Sequence, residues 1–258
     1  MDINGKSVLI TGASEGIGAA CVDSFRRRGA RISVVARSVG KLERIGGSDA
    51  VVTAGDLTDP EVRRRAVEAT IERFGSIDIL INNAGVGLYS PSWRADMAQV
   101  RALMELNLFV PMELAQLVVP RMIEQGSGVI VNVGSIAGKV TLPWMTVYSA
   151  SKYALGSWTD GLRMELKSKG IHTLTVCPGY VKTSFQDHML SGTVPAEIRN
   201  SRKAAITASQ CAEAIVKGVE RGKRTVMTPA IGWLLVVLER LFPSVVDWQM
   251  HRIYRSVE

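Results

Sequence analysis

Short apolar segments rich in Val and Ile recur along the chain, and longer amphipathic segments separate them. This alternation limits the fold, because continuously apolar strands must be buried on both faces, as in a parallel sheet covered by helices. The predicted strands cover 7–11, 31–36, 50–56, 78–83, 128–135, 172–179 and 224–229. The predicted helices include 16–28, 60–74, 97–125 and 147–169. We therefore expect an α/β fold with a doubly wound parallel sheet.

The rhythm of strands and helices changes twice. No repeat or linker divides the first 180 residues, so 1–230 is predicted to be one domain. Within it, 183–206 has mixed polarity with Gly192 and Pro195, which is typical of a lid inserted after a strand. Residues 231–258 are predicted to be an apolar helical extension.

Composition narrows the class of protein. Of the 258 residues, 47% are hydrophobic and 21% charged, which suits a globular protein. Three widely spaced cysteines fit neither a disulfide framework nor a metal site, so no metal is expected and the cytoplasm is the predicted compartment. The start, MDINGKSVLITG, runs directly into a strand, which leaves no room for a signal peptide.

The net charge of +7 is concentrated in the last sixty residues, which contribute +5. No basic helix interleaved with aromatic residues accompanies this charge, so nucleic acid is not an expected partner. A phosphate-bearing cofactor or an anionic membrane surface explains the charge more simply.

A glycine-rich turn, TGASEGIG, follows the first strand. Gly12, Gly16 and Gly18 would let the backbone approach a pyrophosphate at the N-terminus of the next helix. Such a turn alone is a weak signal, but its place after the first strand favours a dinucleotide site.

The end of the second predicted strand bears on the choice of dinucleotide. An acidic residue there would bond a ribose 2′-hydroxyl, whereas VVARS places Arg37 and Ser38. A guanidinium suits a 2′-phosphate, so NADP(H) is predicted over NAD(H); a solvated surface arginine is the alternative.

The segment VYSASK places Tyr148 and Lys152 on the same face of a helix. A neighbouring ammonium is expected to lower the pKa of the phenol and so make it a general acid/base, and the small residues between them would leave room for ligands. Ser135, at the end of a strand, could donate to a developing oxyanion. Asn107 lies in an apolar helical segment, where a buried amide needs a partner, and a purely structural amide is the alternative.

In order along the chain, TGASEGIG, NNAG (82–85), the Asn107 segment, Ser135, YSASK and PGYVKT (178–183) resemble the short-chain dehydrogenases/reductases over roughly residues 5–230. The resemblance implies a Rossmann fold, Tyr148 as acid/base, Ser135 polarising the substrate, Lys152 binding the nicotinamide ribose and lowering the tyrosine pKa, and Asn107 supporting a water in a proton relay. The cofactor-binding residues it implies, together with those predicted above, are Gly12, Ser14, Glu15, Gly16, Ile17, Gly18, Arg37, Ser38, Asp56, Leu57, Asn82, Ala84, Gly85, Tyr148, Lys152, Pro178, Gly179, Val181 and Thr183. Glu15 departs from some NADP-preferring relatives, which carry a basic residue there, so Arg37 would have to discriminate.

These features together predict an NADP(H)-dependent oxidoreductase that interconverts a ketone and a secondary alcohol. Leu88, Tyr89, Leu142, Trp144 and Met145 in the surrounding loops favour a lipophilic substrate such as a steroid, retinoid or keto-lipid. The alternatives are a catalytically idle NADP-binding regulator and a membrane-surface scaffold on the same fold.

The C-terminal extension allows two interpretations. Trp233, Leu234, Val237, Leu238 and Leu241 could enter lipid while nearby arginines meet head groups. They could equally pack against the protein or a second subunit, and a homo-oligomer (dimer or tetramer) with this surface near the pocket mouth is the favoured expectation. Pro243 is predicted to end the first helix of the extension.

Overall fold

A seven-stranded parallel sheet forms the centre of the protein, with its strands in the spatial order 51–54, 31–36, 7–11, 79–82, 128–133, 171–178 and 225–228. The computed structural model describes residues 1–192 and 205–255, with side chains described up to residue 252. The sheet strands are β1 (Ser7–Thr11), β2 (Arg31–Ala36), β3 (Val51–Ala54), β4 (Ile79–Asn82), β5 (Gly128–Val133), β6 (Ile171–Pro178) and β9 (Thr225–Thr228). A two-stranded parallel pair, β7 (Val181–Lys182) and β8 (Ile206–Thr207), brings the two ends of the lid segment together.

Helices cover both faces of this sheet. They are α1 (Gly16–Arg26), α2 (Val39–Gly46), α3 (Pro60–Phe74), α4 (Met97–Met104), α5 (Val110–Gln125), α6 (Thr146–Leu166), α7 (Ala208–Glu220), α8 (Gly232–Leu241) and α9 (Pro243–Arg255). In β1, Val8 and Ile10 pack under α1 and α7, whereas Leu9 packs under α3 and α5. Successive side chains of a strand point to opposite faces, so one apolar run supplies both cores.

The chain reverses direction across the sheet beside β1. It runs outward from β1 through β2 to β3 and then crosses back to β4 on the other side of β1. Such a switch point leaves a crevice at the carboxyl ends of β1 and β4, where open α/β sheets bind ligands. The predicted doubly wound sheet is therefore confirmed.

Several predicted boundaries change. The helix predicted at 97–125 is α4 and α5 joined by a π-helical segment, Glu105–Phe109, and the helix predicted at 147–169 ends as a 3₁₀ turn, Lys167–Lys169. The sequence analysis missed α2, a short helix with a glycine in its first turn and another at its last residue, a composition of low helix propensity. Pro243 opens α9 immediately after α8 ends at Leu241.

The stretch 97–125 is, within the described ranges, the one helical segment long and apolar enough to cross a membrane, with a mean hydropathy of 1.5. Of its most apolar window, 44% is buried inside the protein. Leu114 and Val118 of α5 are fully buried in the core against the sheet. Here the apolar composition serves the domain core.

The segment predicted to be a lid begins as a 3₁₀ turn, Ser184–His188, and then runs beside residues 87–90. The amide of Leu190 donates to the carbonyl oxygen of Gly87 at 2.9 Å, and the amide of Tyr89 donates to Ser191 at 3.1 Å. The rest of the predicted lid, 193–204 with Pro195, lies outside the described residues.

Candidate active site

The predicted site residues follow the carboxyl ends of the sheet strands, except those on α6 and the π-helical segment. Gly12 to Gly18 follow β1, Arg37 and Ser38 follow β2, Asp56 and Leu57 follow β3, and Ala84 and Gly85 follow β4, which ends in Asn82. Ser135 follows β5, while Pro178 ends β6. Parallel strands end at one edge, so the topology gathers these residues along one crevice.

The glycine-rich turn is packed too closely for side chains. A Cβ on Gly18 would lie 2.2 Å from the carbonyl oxygen of Gly12, and a Cβ on Gly12 would lie 2.8 Å from Cα of Ala84. Gly12 and Gly16 also have φ of 62° and 60°, which glycine adopts without strain. The turn and the N-terminus of α1 thus bring backbone together without side chains, an arrangement that suits a pyrophosphate.

The NNAG segment braces this glycine-rich turn. The amide side chain of Asn83 donates to the carbonyl oxygens of Thr11 at 2.9 Å and Gly12 at 3.1 Å. The Thr11 hydroxyl accepts from the backbone amides of Asn83 at 2.9 Å and Ala84 at 3.0 Å. Asn83 and Thr11 were missed by the sequence analysis, although NNAG itself was recognised.

Asn82 faces the interior of the sheet. Its amide donates to Oδ1 of Asn132 at 2.8 Å, and Asn132 donates to the Thr159 hydroxyl at 2.8 Å. Its own Oδ1 is buried and has no hydrogen-bond partner among the described residues. The Asn82 side chain therefore belongs to a buried polar chain beneath the crevice.

Charged and polar groups border the crevice beyond β2 and β3. Arg37 and Ser38 are exposed, and Ser38 precedes the first turn of α2. The Asp56 carboxylate accepts from the amide and hydroxyl of Thr58, and these bonds, with Arg37 as a weaker contribution, lower its pKa against the opposing effect of burial. Leu57 packs its side chain into the core, so only its backbone can border a ligand.

Tyr148 and Lys152 lie one turn apart on α6 and are both buried. Nζ of Lys152 is 5.8 Å from the ring centroid of Tyr148 and donates to the carbonyl oxygen of Val133 at 3.0 Å. The Ser135 side chain lies close enough to the phenol of Tyr148 to lower its pKa. The predicted cluster of serine, tyrosine and lysine is thus assembled.

Burial shifts the two pKa values in opposite directions. Burial raises the pKa of Tyr148 to about 12, and the neighbouring Ser135 side chain only partly opposes this effect. The same cause lowers the pKa of Lys152 to about 8. The predicted lowering of the Tyr148 pKa by Lys152 is not found in this structure, where burial is the largest cause acting on that pKa and Ser135 the second.

The small residues beside Tyr148 serve packing. Ser149 accepts from the amide of Leu142 at 3.2 Å, and Ser151 donates to the carbonyl oxygen of Tyr148 at 2.7 Å. Both are buried, whereas Ala150 between them is exposed, so the room for a ligand on this face stays a prediction.

Asn107 joins two parts of the site. Its side-chain amide pairs with both backbone groups of Val86 at 2.9 Å and donates to the Ser151 hydroxyl at 3.1 Å. A Cβ on Gly85 would lie 3.0 Å from Oδ1 of Asn107 and 3.5 Å from Nζ of Lys152. Asn107 therefore holds the segment after β4 against α6.

These contacts agree with comparisons to known proteins. A family model described as short chain dehydrogenase matches residues 6–192. The chain belongs to the short-chain dehydrogenase/reductase family. The resemblance inferred from the motifs is confirmed.

Three relatives illustrate the likeness. The ketoacyl reductase HetN of a Nostoc species is 33% identical over 98% of this chain and 89% of the relative. A short chain dehydrogenase of Burkholderia cenocepacia, solved with NADP, is 29% identical with a TM-score of 0.82, covering 97% of this chain and 99% of that one. A Burkholderia phymatum structure solved with NAD has a TM-score of 0.83 at 24% identity, covers 96% of each chain and shows the shared fold.

Tyr148 lies among apolar side chains from several loops. Tyr148 packs in a cluster with Leu88, Tyr89, Leu103, Ala137 and Met145, and partly buried members include Leu142, Trp144, Phe185, Met189 and Leu190. The Tyr89 and Trp144 rings stack at 5.8 Å, and Trp144 has a φ of 64°, a costly backbone conformation for a bulky residue. The predicted apolar loops do meet around the tyrosine.

The lid supplies contacts that the sequence analysis did not find. The Phe185 ring lies 5.8 Å from that of Tyr148, tilted by 57°. Thr183 packs on the glycine turn, since a Cβ on Gly16 would lie 3.3 Å from its Cγ2. Phe185 and Met189 stand within the predicted lid, so apolar residues there were the available signal.

Proposed function

We propose that this protein is an NADP(H)-dependent oxidoreductase that interconverts a ketone and a secondary alcohol on a lipophilic substrate. The observation that carries this proposal is the buried phenol of Tyr148, which lies beside the Ser135 side chain and is surrounded by apolar side chains. A phenol and a hydroxyl that converge in an apolar pocket suit a substrate with one polar oxygen on a hydrocarbon body.

The residues of the crevice fit a nicotinamide dinucleotide. The glycine-rich turn around Gly12 and Gly18 has no room for side chains and suits the pyrophosphate. Thr183, Val181 and Gly179 follow β6 on the other side of the crevice, where they would border the nicotinamide end. When bound, the nicotinamide supplies or accepts the hydride.

The preference for NADP(H) rests on charge after β2. Arg37 is exposed there and no acidic side chain follows that strand before α2, so a 2′-phosphate would meet a guanidinium. The carboxylate that interacts with Arg37 is Asp56, which follows the neighbouring strand β3 and which Thr58 also hydrogen-bonds. The negative charge of Glu15 is offset by Lys41, whose Nζ lies 2.9 Å from its carboxylate. This ion pair reduces the penalty that Glu15 would otherwise impose on a phosphate.

The proton chemistry follows from burial. Because the pKa of Tyr148 is raised to about 12, its phenol is protonated at neutral pH and can donate a proton to a carbonyl oxygen. Ser135 would donate a hydrogen bond to the same oxygen as charge develops on it. Lys152 would hold the nicotinamide ribose, and Asn107 would support the water that returns a proton to the pair. The protonated phenol is the form that the reducing reaction requires.

The substrate class follows from the pocket and from one relative. The side chains around Tyr148 are predominantly apolar, and they include the stacked rings of Tyr89 and Trp144. HetN is named as a ketoacyl reductase. A steroid, retinoid or keto-lipid carbonyl therefore remains our proposed class.

The test is a screen of NADPH oxidation, with NADH in parallel, across steroids, retinoids, long-chain keto-lipids, sugars and quinones. We expect turnover with a lipophilic carbonyl and a preference for NADPH. A protein that binds NADPH but reduces none of these carbonyls would instead support the idle regulator.

A further inference from the structure

Glu15 occupies the N-cap position of α1 but does not cap it. Capping side chains ordinarily accept from an amide of the first turn. Within the described part of the chain, the Glu15 side chain makes no such bond. Its carboxylate is directed to other elements.

One carboxylate oxygen contacts the start of the lid. Oε1 of Glu15 accepts from the Ser184 hydroxyl at 2.8 Å and lies 2.8 Å from Nε2 of His188. These residues open and close the 3₁₀ turn Ser184–His188. Glu15 therefore contacts both ends of that turn.

The other oxygen contacts α2. Oε2 of Glu15 accepts from Nζ of Lys41 at 2.9 Å. The bond with Lys41 is the largest cause of the lowered pKa of Glu15, with Ser184 and His188 adding to it against the effect of burial. The carboxylate is thus ionised and held from two sides.

The lid turn fastened in this way is also the part that covers the tyrosine. Phe185 lies against the Tyr148 ring, and a Cβ on Gly87 would lie 3.1 Å from Met189 and 3.2 Å from Phe185. The turn packs between the glycine loop on one side and the apolar pocket on the other.

We propose that Glu15 is a positioning residue that fastens the start of the lid to the glycine-rich loop and so keeps Phe185 and Met189 over the substrate pocket. The inference rests on the proposed function in taking this pocket as the carbonyl site. The fastening has an electrostatic cost, because a carboxylate at the N-terminus of α1 repels the pyrophosphate that binds there. Substrate and cofactor binding should therefore respond in opposite directions when the charge is removed.

The first test follows the lid directly and needs no substrate. Glu15→Gln keeps the shape but loses the charge that attracts Lys41 and His188. Hydrogen–deuterium exchange of the peptide covering 184–192 should become about three- to tenfold faster, since an ion pair of this kind contributes on the order of 1 kcal/mol. Glu43→Gln, at an exposed carboxylate of α2, is the matched control and should leave that exchange unchanged.

The second test separates positioning from general damage. In Glu15→Gln we expect KM for the carbonyl substrate to rise about three- to tenfold, with kcat within about twofold and NADPH affinity unchanged or tighter. A variant that is merely destabilised would lose cofactor affinity and turnover together. The cofactor titration and the exchange measurement stay informative even if every carbonyl proves inert, so failure of the proposed function is distinguishable.

The third test asks whether Glu15 acts through His188. His188→Ala should raise exchange and KM similarly, and combining it with Glu15→Gln should add less than the product of the two single effects. The proposal would be overturned if hydrogen exchange at 184–192 stayed unchanged in Glu15→Gln, or if Glu43→Gln changed it equally. It would also be overturned if the effect of the double variant on exchange and KM equalled the product of the two single effects.

Discussion

Tyr148 and Lys152 carry pKa shifts of opposite sign that share one physical cause. Burial disfavours the charged form of each group, which raises the pKa of the phenol to about 12 and lowers that of the ammonium to about 8. At pH 7 the phenol therefore carries its proton and the lysine carries a costly charge. The protonated phenol can donate a proton, and the buried charge of Lys152 lowers the folding stability of the protein.

Removing the phenol hydroxyl tests the assignment of Tyr148. Tyr148→Phe keeps the ring that packs on Phe185 but removes the proton donor, so turnover should fall by at least about 100-fold. NADPH affinity should stay within about threefold by fluorescence titration, since the ring packing is kept. Tyr153→Phe, at a more exposed tyrosine of α6, is the control. Full turnover in Tyr148→Phe would refute the mechanism.

Lys152 is expected to lower the stability of the protein without cofactor. Its folded pKa of about 8 lies below the ordinary 10.5, so between these values the unfolded chain binds more protons and stability rises with pH. The loss of folding stability caused by the buried charge is fully present below pH 8 and is on the order of 3 kcal/mol. Part of it is offset by the bond to Val133, worth about 1 kcal/mol.

Lys152→Met should therefore unfold at a higher temperature than the wild type at pH 7, by a few degrees for a gain of about 1–2 kcal/mol. The advantage should shrink between pH 8 and pH 10.5, while activity is lost throughout. Thermal unfolding of both proteins across this range measures it. A Lys152→Met protein that is less stable at pH 7 would show that the lysine's bonds outweigh its desolvation.

At the scale of the element, the turn between β1 and α1 depends on missing side chains. Gly18→Ala would place a methyl group 2.2 Å from the carbonyl oxygen of Gly12, so the turn must open. NADPH binding should weaken at least about tenfold, and stability should fall by about 1–3 kcal/mol, typical of overpacking. Gly161→Ala, inside α6 with nothing within 4 Å of the new Cβ, should instead gain about 0.5–1 kcal/mol. Calorimetry and cofactor titration of both variants decide whether the close contact is the cause.

The predicted preference for NADP(H) depends on Arg37, which follows β2. Arg37→Ala should weaken NADPH by about 10- to 100-fold, the range for a lost charge-assisted bond, and leave NADH nearly unchanged. Arg44→Ala, on an exposed part of α2, controls for the loss of positive charge. Equal losses for the two cofactors in Arg37→Ala would make Arg37 structural.

The sheet strands and several helices could be predicted from the sequence, but the side-chain hydrogen bonds between distant parts of the chain could not. The strands could be predicted because each buried parallel strand is a continuous apolar run in the sequence. The bounds of β1, β2 and α3 are those predicted. The residues proposed to be catalytic could be selected from the sequence because their motifs are also local. The bonds of Glu15 to Lys41 and His188 join positions 26 and 173 residues apart, and no local pattern marks such partners. The pKa of Tyr148 was mispredicted because burial by Phe185 and its neighbours is likewise a long-range result.

At the scale of the whole molecule, α8 and α9 form a hairpin with one buried and one exposed side. Val236 and Val246 are buried in a cluster with Val140, Cys177 and Met227, and a Cβ on Gly232 would lie 3.1 Å from Ile136, next to Ser135. The exposed side carries large apolar residues: Ile231, Trp233, Leu234, Val237, Leu238, Leu241, Phe242, Val245 and Trp248. The five side chains predicted to meet lipid or a second subunit are all among them.

The charges of the hairpin bear on its partner. Glu239 and Asp247 balance Arg240 and Arg252 within 231–252, and Arg252 lies over the Trp248 ring at 5.7 Å. An apolar face without net positive charge gains little from anionic head groups, which favours a second copy of the chain as the partner. We propose self-association through this face, with peripheral membrane contact as the alternative.

Charged substitutions on the exposed face test this proposal without disturbing the buried side. Leu234→Glu combined with Leu238→Glu should lower the mass measured by light scattering, because burying two carboxylates in an apolar contact is costly. Trp93→Glu, at an exposed aromatic residue outside the hairpin, should leave the mass unchanged. If the wild type is instead a monomer that binds anionic vesicles and the double variant does not, the face meets lipid. A monomer that ignores vesicles would contradict both interpretations and leave the hairpin as a cover for Met227 and Val140.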